Sequence, residues 1–327
     1  MIPLAHRPRS GTTERMRTEE AMKIVSLLPS ATEIVYALGL GAHLYGVSFE
    51  CDYPEAARSV PVVSGTVLPT DGSLNASEID AEVSARVAAG DSIYTLDDAR
   101  IRAIDPDLIL AQDLCRVCAV PSGAVEQALD VIGCSADVVS LDPGRLDEVI
   151  DCIGAVGAAT GTSTRANALM ASLRARVDAV RLRVRGLDRP RVLTLEWSDP
   201  PFNGGHWVPD MLEAAGGVPV LAMAGARSRR LTWEEIARER IDVTVFMPCG
   251  FDLGGAVAES SKLLSRPDAA GLGSIFAVDA NAYFSRPGPR VVEGVELLAD
   301  LLHSPGDGAT PPGARLVRSS TLRTFRN

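Results

Sequence analysis

The 327-residue chain carries a formal net charge of −10 and is 46% hydrophobic, with only 5% aromatic residues beside 29 glycines and 21 prolines. It offers no basic face to neutralise a phosphate backbone, so nucleic acid is excluded as a partner. The longest apolar runs, such as Ile24 to Leu28 and Val243 to Met247, fall far short of the roughly 20 residues a membrane helix needs, and a spanning segment is excluded too.

Residues 1–21 are polar and aperiodic, and 304–327 mix Pro, Gly, Ser and Arg without an apolar period, so both are expected to be disordered tails. Arg7, Arg9, Arg15 and Arg17 are not followed by an apolar stretch, so no secretory signal is read and a cytoplasmic location is expected. From residue 22, short β-branched or Leu-rich runs alternate with helical patterns. A strand over Ile24 to Leu28 leads to a helix from Ser30 to Leu38, with Ser30 read as N-cap, Glu33 completing a capping box and Gly39 ending the helix. Strands over Leu44 to Ser48, Leu108 to Ala111 and Val138 to Leu141, with a helix around Val125 to Ile132, complete an N-terminal lobe over 22–144.

Apolar residues then recur at helical spacing from Leu146 to about Leu187, broken near Gly161-Thr162-Ser163. A short helix followed by a long spacer helix is predicted over 145–189. A C-terminal lobe over 190–303 follows. Its strands are Arg191 to Leu195, Val243 to Met247 and Ile275 to Val278, and its helices Val208 to Ala215, Trp233 to Glu239, Val257 to Leu264 and Arg290 to Leu302. The fold class is therefore α/β, two Rossmann-like lobes joined by a long spacer helix.

Six cysteines in a chain with a sizeable core do not look like a disulfide scaffold. Cys115 and Cys118 form a CxxC directly after a strand, and Cys51 and Cys249 also stand at strand ends. Were these four thiolates to converge, they would suit Zn²⁺ or an iron–sulfur cluster; the alternative is that they pack as small apolar groups. Cys134 and Cys152 are assigned to packing. His206, in Asn203-Gly204-Gly205-His206-Trp207, offers an imidazole for a metal centre such as cobalt or haem iron. Glu196 and Asp199 have no serine–histidine–acid order, phosphate-binding loop or metalloprotease helix beside them, so a binding protein rather than an enzyme is expected, with a thiolate enzyme as a further alternative.

Several segments, in this order, carry a resemblance: Ile24-Val25-Ser26-Leu27-Leu28-Pro29-Ser30-Ala31-Thr32-Glu33, Gly46-Val47-Ser48 with Cys51-Asp52-Tyr53-Pro54, Asp105-Pro106-Asp107-Leu108-Ile109, Pro200-Pro201-Phe202, Glu213-Ala214-Ala215-Gly216-Gly217, and Tyr283 through Arg290. Together they resemble the class III substrate-binding proteins of ABC transporters, in the vitamin B12-binding branch, over most of residues 22–303. The resemblance implies the class III periplasmic-binding-protein fold and a ligand such as cobalamin, a related tetrapyrrole or a siderophore, held between the lobes by loops at strand C-termini. It implies Glu50, Gln112, Phe202, His206, Trp207, Tyr283 and Arg286 as ligand contacts, with Phe202 and Tyr283 stacking on the ring and Arg286 bonding its amides or carboxylates. Acidic residues at Glu213 and beside Ala99, at Asp98, would meet the arginines of an ABC permease. The branch has a tyrosine where Glu50 falls and a tryptophan where Gln112-Asp113-Leu114-Cys115 follows its strand, so two aromatic walls are replaced here.

Overall fold

The computed structural model describes residues 22–69, 76–89, 91–113, 123–125, 128–129, 134–303 and 310–318. It divides into two compact units, one made of residues up to Asp142 together with Ile150–Met170, the other of Pro143–Val149 together with residues from Ala171 onward.

The first unit holds a six-stranded sheet of β1 (Ile24–Ser26), β2 (Leu44–Ser48), β3 (Val62–Thr66), β4 (Tyr94–Leu96), β5 (Leu108–Ala111) and β6 (Asp137–Ser140), in the order β4-β3-β2-β1-β5-β6. Every pair is parallel except β3 with β4. Strands β1 and β5 are buried at every position, the pattern of parallel strands covered on both faces, which explains why they read as apolar runs rather than alternations. Val25, Leu27, Val63, Ile101 and Ile109 form the core on one side.

Helix α1 runs Pro29–Ala37 and starts one residue before the expected Ser30 cap. Leu28 is the N-cap and Pro29 takes the first helical position, where its fixed φ and missing N–H cost nothing. Ser30 and Glu33 are consequently buried inside the helix, and no capping box forms there. One does form at Thr232, whose hydroxyl accepts from the Glu235 N–H while the Glu235 carboxylate accepts from the Thr232 N–H. Gly39 ends α1 as expected, at φ 74°. Helices α2 (Ala76–Ala89) and α3 (Asp98–Ile104), with β3 and β4, occupy a stretch whose sequence shows no clear periodic pattern. The expected Val125 to Ile132 helix lies partly outside the described residues.

Helices α4 (Leu146–Ala159) and α5 (Ser163–Arg183) match the predicted short-then-long pair, and the boundary between the two units falls inside both. The start of α4 belongs to the second unit. Arg145 reaches Asp210 through two nitrogens at 2.6 and 3.2 Å, and the Leu146 N–H donates to the same carboxylate at 3.1 Å. The later part of α5 is tied to the last long helix by Arg176–Glu296 at 2.7 Å and Arg183–Asp300 at 2.9 Å.

The second sheet contains β7 (Arg191–Ser198), β8 (Pro201–Asn203), β9 (Val218–Val220), β10 (Val243–Phe246), β11 (Ser274–Val278) and β12 (Ala314–Arg318). Its order is β12-β11-β10-β7-β8, with β9 also on β7. The pairs β7–β10, β10–β11 and β7–β9 are parallel, whereas β8 and β12 run antiparallel to their neighbours. Helices α6 (Val208–Ala214), α7 (Trp233–Ala237), α8 (Leu253–Leu264), α9 (Ala280–Tyr283) and α10 (Val291–His303) complete the unit.

Strand β12 corrects the expectation of a disordered tail for residues 310–318; the rest of 304–327 lies outside the described residues. An edge strand of five residues needs no apolar period: β11 supplies the backbone partners, and Val317 packs against the core around Leu193, Phe246 and Ile275. Deleting residues 310–327 should therefore destabilise the second unit by at least about 1 kcal/mol, the size of a typical destabilising point mutation. All three tryptophans, Trp197, Trp207 and Trp233, lie in that unit, so urea unfolding followed by their fluorescence reads it directly. An unchanged midpoint would return the segment to the status of a loose tail.

Candidate functional site

In an open parallel sheet, loops that leave the C-terminal ends of adjacent strands in opposite directions create a crevice at the point where strand order reverses. The first sheet reverses between β1 and β5, the second between β7 and β10. Those two edges are where the chain's chemistry gathers.

At the first edge, Ser26, Thr32, Ser48 and Cys51 form a buried polar cluster. The Thr32 hydroxyl lies 2.9 Å from Ser26 Oγ and 3.1 Å from Cys51 Sγ, and Ser48 Oγ lies 3.2 Å from the same sulfur. Cys51 is thus built into the β1–β2 junction. Gln112, 3% exposed, donates its amide to the Leu141 carbonyl at 2.9 Å and so ties the ends of β5 and β6 together. Glu50 is half-buried just after β2. Beside it Phe49, 38% exposed, faces Tyr94 at a ring separation of 6.4 Å, and Tyr53 is 47% exposed. The aromatic surface at this edge is carried by Phe49, one position before the acidic residue.

At the second edge, β7 ends in Glu196-Trp197-Ser198 and turns directly into β8, which brings Phe202 back beside Trp197. The Trp197 ring lies 6.1 Å from Phe251, in the loop after β10, and the Arg230 guanidinium sits 5.7 Å from the centre of the Phe202 ring. Ser228 donates to Glu196 Oε2 at 2.7 Å and accepts from the Gly205 N–H at 3.1 Å. Gly205 is required here, because a Cβ would collide with the Ser228 backbone nitrogen. The exposed Cys249 donates its backbone N–H to the Glu196 carbonyl at 3.1 Å.

His206 adopts a left-handed φ of 53°, its ring 5.7 Å from that of Trp207, and its buried Nε2 has no hydrogen-bond partner among the described residues. Burial, reinforced by the charge of Arg227, lowers its pKa from the ordinary histidine value. Trp207 is 6% exposed and donates its indole N–H to the Phe284 carbonyl at 2.9 Å, which anchors the loop. Tyr283 meets Phe284 edge-on at 6.5 Å, and Arg286 is half-buried three residues later.

The expected thiolate cluster is not assembled by the described residues. Cys115 and Cys118 lie outside them, Cys51 belongs to the first unit and Cys249 to the second. Among the described residues no group of three or more His, Cys, Asp or Glu side chains is placed to hold a metal ion. Asp98 is exposed at the start of α3, and Glu213 is exposed on α6. Trp197 and Phe251 also stand at the second edge and were not among the expected contacts; their signal was an aromatic residue at or just beyond a strand end. A shallow depression of about 560 Å³, lined by Lys23, Tyr45, Pro61, Arg100, Ala103 and Ile104, lies at the opposite, N-terminal edge of the first sheet. Lys23 there already donates to the Ile104 carbonyl at 2.7 Å.

Residues 24–274 match the family described as periplasmic binding protein. The chain belongs to that family. An uncharacterised ABC transporter substrate-binding lipoprotein of Bacillus subtilis, YvrC, is 26% identical over 87% of this chain and 81% of its own length. A cobalamin-binding protein of Halobacterium salinarum is 26% identical over 91% of this chain and 73% of its own. Among solved structures, the periplasmic haem-binding protein RhuT of Roseiflexus, at 23% identity, has a TM-score of 0.61 over 85% of this chain and 97% of its own.

Periplasmic binding proteins take a small molecule as ligand and work with a permease, and those are the partners of this chain. No helix among the described residues is long and apolar enough to cross a membrane. The cytoplasmic location expected above is overturned, because relatives are periplasmic or lipid-anchored and point outside the cytoplasm.

The lowered pKa of His206 generates a pH dependence. An unfolded histidine titrates near 6.5, so its folded state binds the proton less readily, and stability falls as pH is lowered from about 6.5 through the depressed folded value. Urea midpoints measured near neutrality and about two pH units lower should differ more in the parent than in His206→Gln. An equal fall in both would assign the acid sensitivity elsewhere.

Proposed function

We propose that this periplasmic binding protein captures a corrinoid, cobalamin or a close tetrapyrrole relative, at the C-terminal strand edges of its units, and does so without chemical turnover. The observation that carries the reading is the set of aromatic side chains at those edges. Trp197 stands at the end of β7 with Phe202 beside it on β8, Phe251 lies in the loop after β10, and the half-exposed Phe49 directly follows β2. Flat macrocycles are bound by such faces, since aromatic side chains bring large apolar area at little entropic cost. The cobalamin-binding relative from Halobacterium supports the corrinoid over haem, the ligand of the more distant structural neighbour RhuT.

In this reading Phe202 stacks on the ring, Arg286 bonds its polar side arms, and Glu50 replaces an aromatic wall that Phe49 supplies one position earlier. Tyr283 stacks on the ring with Phe202, and His206 offers an imidazole to the ring's metal. Asp98 and Glu213 are the residues that meet the permease, each exposed on its own unit.

An absorbance titration of the purified protein with hydroxocobalamin, and separately with haemin, tests the assignment. Saturable perturbation of the corrin bands is expected, with Phe202→Ala weakening it about tenfold, the equivalent of about 1.4 kcal/mol. Haemin binding without any corrin response would replace the corrinoid by haem. Chemical alteration of the bound corrin during incubation would contradict binding without turnover.

A further inference from the structure

We propose that Arg227 holds the phosphate of a complete corrinoid, so that the protein favours cobalamins over cobinamides, the corrins that lack the nucleotide loop. The inference rests on the corrinoid reading above and adds to it the part of the ligand that is selected. A cobalamin carries a phosphodiester between its corrin ring and its nucleotide base, whereas a cobinamide carries no phosphate.

The segment after β9 gathers arginines, and most of them are engaged within the second unit. Arg145, packed against Gly225, bonds Asp210 at 2.6 Å, Arg229 bonds Glu235 at 3.1 Å, and Arg230 lies over the Phe202 ring at 5.7 Å. Arg227 is exposed, and its guanidinium makes no ion pair or hydrogen bond among the described residues. Its place is nevertheless fixed by its backbone, because residues 225–231 run antiparallel to 201–206. The Leu231 N–H donates to the Pro201 carbonyl at 2.7 Å, the Asn203 N–H to the Arg229 carbonyl at 3.2 Å and the His206 N–H to the Ala226 carbonyl at 2.6 Å, while the Gly225 N–H donates to the His206 carbonyl at 2.9 Å. Arg227 thus lies opposite Gly205, where a Cβ on the glycine would strike the Arg227 carbonyl carbon.

The next residue after Gly205 is His206, whose ring feels the Arg227 charge, and no carboxylate contributes to that effect. A positive charge without an acidic partner, beside an imidazole whose buried Nε2 has no partner among the described residues, makes a place for an anion. Guanidinium suits phosphate, because its planar fork offers two parallel N–H donors to two oxygens and stays charged at any working pH. The nucleotide loop of a cobalamin hangs below one axial face of the corrin. A ring that presents this face to His206 brings its phosphate towards Arg227.

Dicyanocobinamide, dicyanocobinamide phosphate and dicyanocobalamin form a graded series: no phosphate, phosphate without base, and phosphate with base. Cyanide holds both axial positions of the cobalt, so coordination by His206 does not enter. Binding of each to the parent, to Arg227→Gln and to Arg227→Lys is followed by tryptophan quenching, with circular dichroism reporting the fold. The parent is expected to bind both phosphate-bearing corrins about tenfold more tightly than dicyanocobinamide, the scale of one hydrogen bond to a charged group. Arg227→Gln should lose most of that difference through weaker binding of the two phosphate-bearing corrins, and Arg227→Lys, which keeps the charge without the fork, should fall between. Raising salt from about 0.01 to 1 M shortens the Debye length from about 30 to 3 Å, so it should narrow the gap in the parent and leave Arg227→Gln unchanged. Equal affinities for the three corrins in the parent, a preference for dicyanocobalamin alone, or a preference that survives Arg227→Gln would overturn the role of Arg227 and leave the corrinoid reading standing. Failure of the parent to bind any of them would remove the corrinoid reading itself.

Discussion

Burial of both faces of the central parallel strands is the constraint on which the rest of the molecule depends. β1, β5 and β10 expose no position on either face, so a ligand meets these strands only at their ends. Helices that return the chain after each strand cover the faces and leave loops at the C-terminal edge. Residues of chemical use are therefore concentrated in a few positions after β1, β2, β5, β7 and β10. Two sheets built this way give two such edges, each with its own point of reversal.

What distinguishes the second edge is how firmly its loops are tied. Trp207 is pinned to Phe284, Asn203 to Leu221 and Arg229, and Gly205 to Ser228, so the segment around His206 is held on three sides. A left-handed, non-glycine residue such as His206 persists only where its surroundings hold it. Such prior ordering lowers the entropic cost of binding and favours capture of one rigid ligand over accommodation of many.

Much of this was legible in the sequence. Apolar runs bounded by turn residues located β2 and β5 to the residue, and the break at Gly161-Thr162-Ser163 separated α4 from α5. The stretch with β3, α2, β4 and α3 was not, because short half-exposed strands and a weakly amphipathic helix leave little periodic signal. The cap at Ser30 was misplaced because Pro29 competes for the first helical position, and β12 was hidden because an edge strand can be mostly polar. Site residues were harder. Gln112 and Trp207 stand where ligand contacts were expected, yet each spends its polar group on a carbonyl of its own unit. Whether a loop side chain faces its own core or the crevice depends on such long-range bonds, which leave no mark in local sequence.

The central claim is that ligand is held at the C-terminal strand edges. Hydrogen–deuterium exchange with and without saturating hydroxocobalamin tests it most directly. The expected result is protection confined to the segments around 49–52, 196–206 and 247–252. Saturable binding that leaves those segments unchanged, or that protects instead the opposite edge around Lys23, Tyr45 and Arg100 to Ile104, would contradict the account.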